Sequence, residues 1–231
     1  MPAWTYAARS DGTFLMASSA HRRRAVTKAA IWASALTPAA WLVWRATQGE
    51  LGANPIEEVL HRNGWWGLVL LTTTLAITPV RRLTGWHSIV RYRRLVGLFA
   101  FFYLTLHFST YLVLDQWLAW EYILEDIAER PFITVGFAAW LLLLTLAVTS
   151  TRGWIRRLGA RWQRLHRLIY LASALGVLHF YWKVKADTRE PLIFGAVIGL
   201  LLLARVPAVQ RMLSRVRTGP ALRAGRHVAE R

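Results

Sequence analysis

His107 lies inside an uninterrupted apolar run, LVGLFAFFYLTLHFSTYLVL, and His166 and His179 stand near the two ends of another, RLHRLIYLASALGVLHFYW. An imidazole at such a position is expensive in hydrocarbon and reads as functional by default. Thirteen residues separate His166 from His179, about 20 Å of helix rise. That separation suits two haems stacked across a bilayer, each needing an axial imidazole. With no cysteine in the chain, thiolate zinc, iron–sulfur clusters and covalent haem attachment drop out. Zinc or copper would want clustered ligands, and no carboxylate lies within the apolar runs. A proton relay or transporter would carry intramembrane acids or paired broken helices. The competing reading is a non-redox membrane scaffold or transporter whose histidines are neutral and hydrogen-bonded to Ser or Thr of a neighbouring helix. His21, His61, His87 and His227 fall in polar segments and have solvated explanations.

Six uncharged runs must position these side chains: 29–44, 63–80, 95–114, 131–151, 168–182 and 191–204. A crossing helix needs about 20 mostly apolar residues, with Lys and Arg able to snorkel at its ends. Of 231 residues 55% are hydrophobic, 13 are Trp, and 29 Lys and Arg against 12 Asp and Glu give a net charge of +17. Four alternate segments, 21–28, 80–94, 151–167 and 205–231, hold 22 of the 29 cations, and the segments between them hold ten of the twelve acids. By the positive-inside rule both termini are cytoplasmic. Trp41, Trp44, Trp65, Trp66, Trp117, Trp120 and Trp182 mark one interface, Trp86, Trp154 and Trp162 the other. The expectation is an all-α, multi-pass integral membrane protein with six transmembrane helices and haem inside the bundle. Residues 1–27 form a disordered extension without a cleavable signal, 28–207 the transmembrane domain, and 208–231 a basic cytoplasmic tail. Nucleic-acid binding is excluded because the basic residues alternate with the spans instead of lining one face. No internal repeat and no Gly-rich phosphate loop is evident.

The third and fifth runs point the same way. His107 lies twelve residues beyond Leu95 and His179 thirteen beyond His166, so they meet at similar depth toward the outer leaflet, as the two axial ligands of one b-type haem. The matching inner position on the third run is Arg93, which leaves His166 with a different or unknown sixth ligand, or with another group. Thirteen helical residues do not return to the same face, so a kink near Gly176, or haems approached from different sides, is required.

The stretches LGANP (51–55), ITPVRR (77–82), RRLVGL (93–98), LHFSTY (106–111), RPFITVG (130–136), LGARWQRLHRLIYL (158–171) and LHFYWKVK (178–185) resemble the MsrQ (YedZ) family, within the ferric-reductase-like transmembrane group. The resemblance runs from about Lys28 to Pro207. It implies an inner-membrane haem b and FMN protein, an electron-transfer subunit of an oxidoreductase complex that does not itself carry the methionine sulfoxide site. Its donor would be quinol or a cytoplasmic flavin reductase, and its acceptor an MsrP-like periplasmic molybdopterin subunit that repairs oxidised methionines. The wider group carries two histidines on each of two helices, and here the third run offers only His107. No fused flavin and nicotinamide domain is present, so the donor is a separate molecule or protein. Arg81, Arg82, Arg91, Arg93, Arg94, Arg161 and Arg164 can hold haem propionates, a flavin phosphate or anionic lipid, although setting topology is the plainer role for most of them. The acidic loops 51–62, 116–130 and 183–190 are the expected docking face for a soluble acceptor.

Overall fold

The structure is a computed structural model that describes the backbone of residues 8–206, 209 and 211, and side chains from residue 21 onward. Among these residues every regular element is helical, in two compact units, Met1–Val59 and Leu60–Arg231.

In the first unit a 40-residue helix, α1 (Ala8–Thr47), contains Pro38. It runs through residues 8–27 of the expected extension, where 13–28 contain neither Gly nor Pro to stop it. Residues 1–7 and nearly all of the expected tail lie outside the described residues. The Ser34 and Thr37 hydroxyls donate to the carbonyls of Ala30 and Ala33 at 2.8 Å, which satisfies them without water. After α1, Gly49 adopts φ +69°, the left-handed turn that ends many helices. Arg45 then ties the loop together: Nη1 reaches Glu58 Oε1 at 2.5 Å, Nη2 donates to the Glu50 carbonyl, and Glu58 Oε2 accepts from the Gly52 amide at 2.9 Å. Asn54 accepts from the Glu57 amide at 3.2 Å and Pro55 opens the next helix. A capping Asn followed by Pro at the first helical position is how the LGANP stretch starts a helix.

That helix is α2 (Pro55–Thr84). A 3-10 turn (His87–Tyr92) leads into α3 (Arg93–Thr110), which passes into a π-helical turn (Tyr111–Asp115). Then come α4 (Trp120–Glu129), α5 (Pro131–Val148), α6 (Arg152–Leu158), α7 (Ala160–Leu165), α8 (Leu168–Lys183) and α9 (Arg189–Leu203). The second unit's core joins Leu68, Leu71 and Leu75 of α2, Ala100 of α3, Leu143 and Leu146 of α5, Ala172 of α8 and Ile198 of α9. Ala100 and Ala172 are fully buried; small side chains there let helix backbones approach closely, the usual packing of helices in lipid.

Three segments are long and apolar enough to cross a membrane: 21–47 in α1, 87–115 across α3 and its flanking turns, and 131–148, which is α5. With 30 residues α2 has the length, but Trp, Thr and Gly dilute its apolar character. Helices α8 and α9, at 16 and 15 residues, fall short of the usual 20 or so.

Two local features depart from the sequence expectations. Helix α8 continues unbroken through Gly176, where Leu68 Cδ1 lies 4.0 Å from the position of an added Cβ. The break comes instead at His166 and Arg167, between α7 and α8. Hydrogen bonds described below tie up both ring nitrogens of His166 at this break. The second feature is Asp126, expected on an acidic surface but buried. Its carboxylate accepts from the Tyr111 hydroxyl at 3.0 Å and the Gln116 amide at 3.3 Å, and pairs with Arg130 Nε at 3.1 Å. It thereby anchors α4 to the π-helical turn.

Candidate functional site

His107 of α3 and His179 of α8 meet with ring centroids 6.0 Å apart and planes at 80°. Each ring is held from behind by a helix of the same unit. His107 Nδ1 lies 2.8 Å from the Leu60 carbonyl oxygen in the second turn of α2, and His179 Nδ1 lies 2.7 Å from the Phe132 carbonyl oxygen in the first turn of α5. A carbonyl only accepts, so both Nδ1 atoms carry the proton and both Nε2 atoms keep their lone pairs. Two such nitrogens could together hold one metal centre. Ligating histidines commonly donate their other N–H to a backbone carbonyl in this way.

The helix backbones admit the rings because of two glycines. A Cβ on Gly64 would stand 2.9 Å from His107 Nδ1, and one on Gly136 would stand 2.6 Å from His179 Nδ1. Beside the pair, Phe108 packs on Trp140 at 4.6 Å, Phe132 lies 6.0 Å from His179, and Trp140 Nε1 donates to Thr105 Oγ1 at 3.2 Å.

His166 lies before the start of α8, at the opposite end from His179. It stacks on Trp162 at 3.9 Å, its Nε2 is 3.3 Å from Ser150 Oγ, and its Nδ1 is 3.2 Å from the Trp162 carbonyl. Trp162 Nε1 donates to the Thr149 carbonyl at 2.9 Å. Ser150 is also where Arg94 arrives, donating from Nη1 to its carbonyl at 3.4 Å, so His166 and Arg94 share one residue. Arg93 donates to Thr78 Oγ1 at 3.3 Å, and Arg164 is exposed on α7. Among the described residues no three His, Cys, Asp or Glu side chains gather as a protein-only metal site would require.

The ferric reductase like transmembrane component family matches residues 63–177. The protein-methionine-sulfoxide reductase heme-binding subunit MsrQ of Xanthomonas axonopodis pv. citri is 52% identical over 185 residues, covering 78% of this chain and 85% of the relative. That of Rhodospirillum rubrum is 54% identical over 187 residues, covering 80% and 90%. The chain belongs to the MsrQ family. No solved structure matches it.

In this MsrQ-family chain Leu60, Gly64, Phe132, Gly136 and Ser150 join the site without having been singled out in the sequence, and Trp162, an interface marker there, packs on His166. A signal for four of them exists. The set Leu60, Gly64 and His107 recurs at an offset of 72 residues as Phe132, Gly136 and His179, and both histidines sit in an LHF triplet. The repeat escapes a search for similar stretches because it consists of isolated positions on different helices.

Proposed function

We propose that the chain is the transmembrane electron-transfer subunit of a protein-methionine-sulfoxide reductase system, working through b-type haem. The observation that carries this reading is the His107 and His179 pair, each ring committed through Nδ1 to a carbonyl and the two centroids 6.0 Å apart. His107 and His179 would be the protein ligands of a haem iron held between the two rings. The porphyrin would supply the remaining ligands to that iron. Haem b, when bound, takes up and releases one electron at a time. Around it His107 and His179 would bind through Nε2, the two carbonyls would fix the ring orientations, and Phe108, Trp140 and Phe132 would exclude water. The relatives' name, a heme-binding subunit, supports the same reading.

The finer reading follows the charges. Six helices cross the bacterial inner membrane with both termini in the cytoplasm, and Lys183 snorkels at the end of the shorter α8. Quinol or a cytoplasmic flavin reductase donates at the arginine-rich face. The acceptor, an MsrP-like periplasmic molybdopterin subunit, docks at the acidic loops. His166, with Arg93, Arg94 and Arg164 nearby in sequence or space, is an inner cofactor site for a second haem or for FMN, and the guanidiniums would hold propionates or phosphate. There His166 Nδ1 would keep its bond to the Trp162 carbonyl and Nε2 would exchange Ser150 Oγ for the cofactor.

A pyridine-haemochrome and flavin assay on protein purified from haem-replete cells tests the proposal. The expected result is at least one reducible b-type haem per chain; a colourless protein would reject it.

A further inference from the structure

We infer that Gly64 and Gly136 are positioning residues: by leaving out a side chain they let Leu60 and Phe132 each share a helical carbonyl with an imidazole, and so they set the haem's affinity and redox poise. This rests on the bis-imidazole reading above. In an α-helix the carbonyl of residue 60 faces the amide of residue 64, and that of 132 faces the amide of 136. A histidine from another helix can reach such an oxygen only along the flank where the later residue's Cβ would stand. At both places that Cβ would fall under 3.0 Å from Nδ1, with Cε1 at 3.2 Å and 2.9 Å as the next atom. Glycine is a poor helix former compared with alanine, yet it occupies both points of imidazole entry. The glycine at 199 is different, with nothing within 4 Å of an added Cβ.

The chemistry follows from the Nδ1–H···O=C bonds at 2.8 Å and 2.7 Å. Donation to a carbonyl makes the opposite nitrogen more basic, and a more basic axial nitrogen favours ferric over ferrous haem. Pushing either ring off its carbonyl therefore weakens haem binding and raises the midpoint potential.

The test uses the full chain in detergent and compares wild type with Gly64→Ala, Gly136→Ala and the control Gly199→Ala. Haem affinity should fall about 10–100-fold in the first two, as for other losses of a ligand's supporting hydrogen bond. A tenfold greater loss for ferric than for ferrous haem corresponds to an upward shift of about 59 mV in a one-electron potential. Gly199→Ala should match wild type in both readouts. If Gly64→Ala and Gly136→Ala also matched wild type, the inference would be overturned while the haem reading stood. A wild type without haem would overturn both. Should neither variant accumulate, electron–nuclear double resonance on the ferric wild type decides: a hydrogen-bonded Nδ1 proton on each axial imidazole sustains the inference, and its absence on either refutes it.

Discussion

The Arg205 guanidinium donates through Nη2 to the carbonyl of Leu75, the oxygen that Pro79 leaves without its helical N–H four residues on. The same guanidinium lies 5.0 Å from the centre of the Tyr170 ring. A proline inside α2 is thus tolerated because a cation from the end of α9 takes the vacated role. Arg205→Ala should destabilise the second unit by about 1–3 kcal/mol, the cost of leaving a buried acceptor unsatisfied. Arg205→Ala in a Pro79→Ala background should cost less, because the helical N–H is restored. Thermal unfolding of the four proteins followed by tryptophan fluorescence gives the coupling.

His107→Ala and His179→Ala should remove the same haem, because each takes one axial nitrogen from one centre. His166→Ala should leave that component intact and affect only an inner site. Visible and low-temperature paramagnetic resonance spectra check this. With the ring planes at 80°, the wild-type ferric signal should be the highly anisotropic low-spin type that perpendicular axial imidazoles produce. Identical spectral losses in His107→Ala and His166→Ala, with His179→Ala spared, would refute the pairing.

Gly159, between α6 and α7, has φ +48° and ψ −124°, and an added Cβ would meet nothing within 4 Å. The cost of Gly159→Ala is therefore backbone strain alone, about 1–3 kcal/mol. It should appear as a lower melting temperature together with a disturbed environment for Trp162 and His166. A variant melting like wild type would show that α6 and α7 can meet by another route.

If the acidic loops dock a soluble acceptor as proposed, neutralising the exposed Glu121, Glu125 and Glu129 to Gln should change the rate of haem reoxidation by that acceptor and flatten its salt dependence, while reduction from the opposite face stays unchanged. Asp126 must be left in place. Asp126→Ala removes the acceptor for Tyr111 and Gln116 and should cost about 2–3 kcal/mol, so it would confuse a docking test with unfolding. Stopped-flow reoxidation at several ionic strengths, beside melting curves, separates the two.

Much of this architecture was legible in the chain. The apolar runs located α3 and α5, and counting from the ends of two runs suggested that His107 and His179 lie at one level, whereas the second run, begun at residue 63, missed the first two turns of α2 from Pro55. What was hidden has a common cause. Periodicity reports which residues are apolar, and it says nothing about which carbonyl a ring will reach. It could not distinguish Asp126 from its exposed neighbours Glu125 and Glu129, because the partner that buries it, Tyr111, sits on another element. It asked for either a kink near Gly176 or haems approached from different sides; α8 runs unbroken through Gly176, and the side-chain bonds of Trp162 and Ser150 accompany a break at His166. Glycines at 64 and 136 look like weak points in their helices until the imidazoles beside them are placed.

The groups that grip the two imidazoles are main-chain oxygens. A library randomised at positions 60 and 132 should therefore keep those hydrogen bonds through most apolar replacements, while positions 64, 107, 136 and 179 tolerate almost none. The site's mutational fragility is concentrated in four codons, and the residues that make its shortest polar contacts to the rings need only stay apolar.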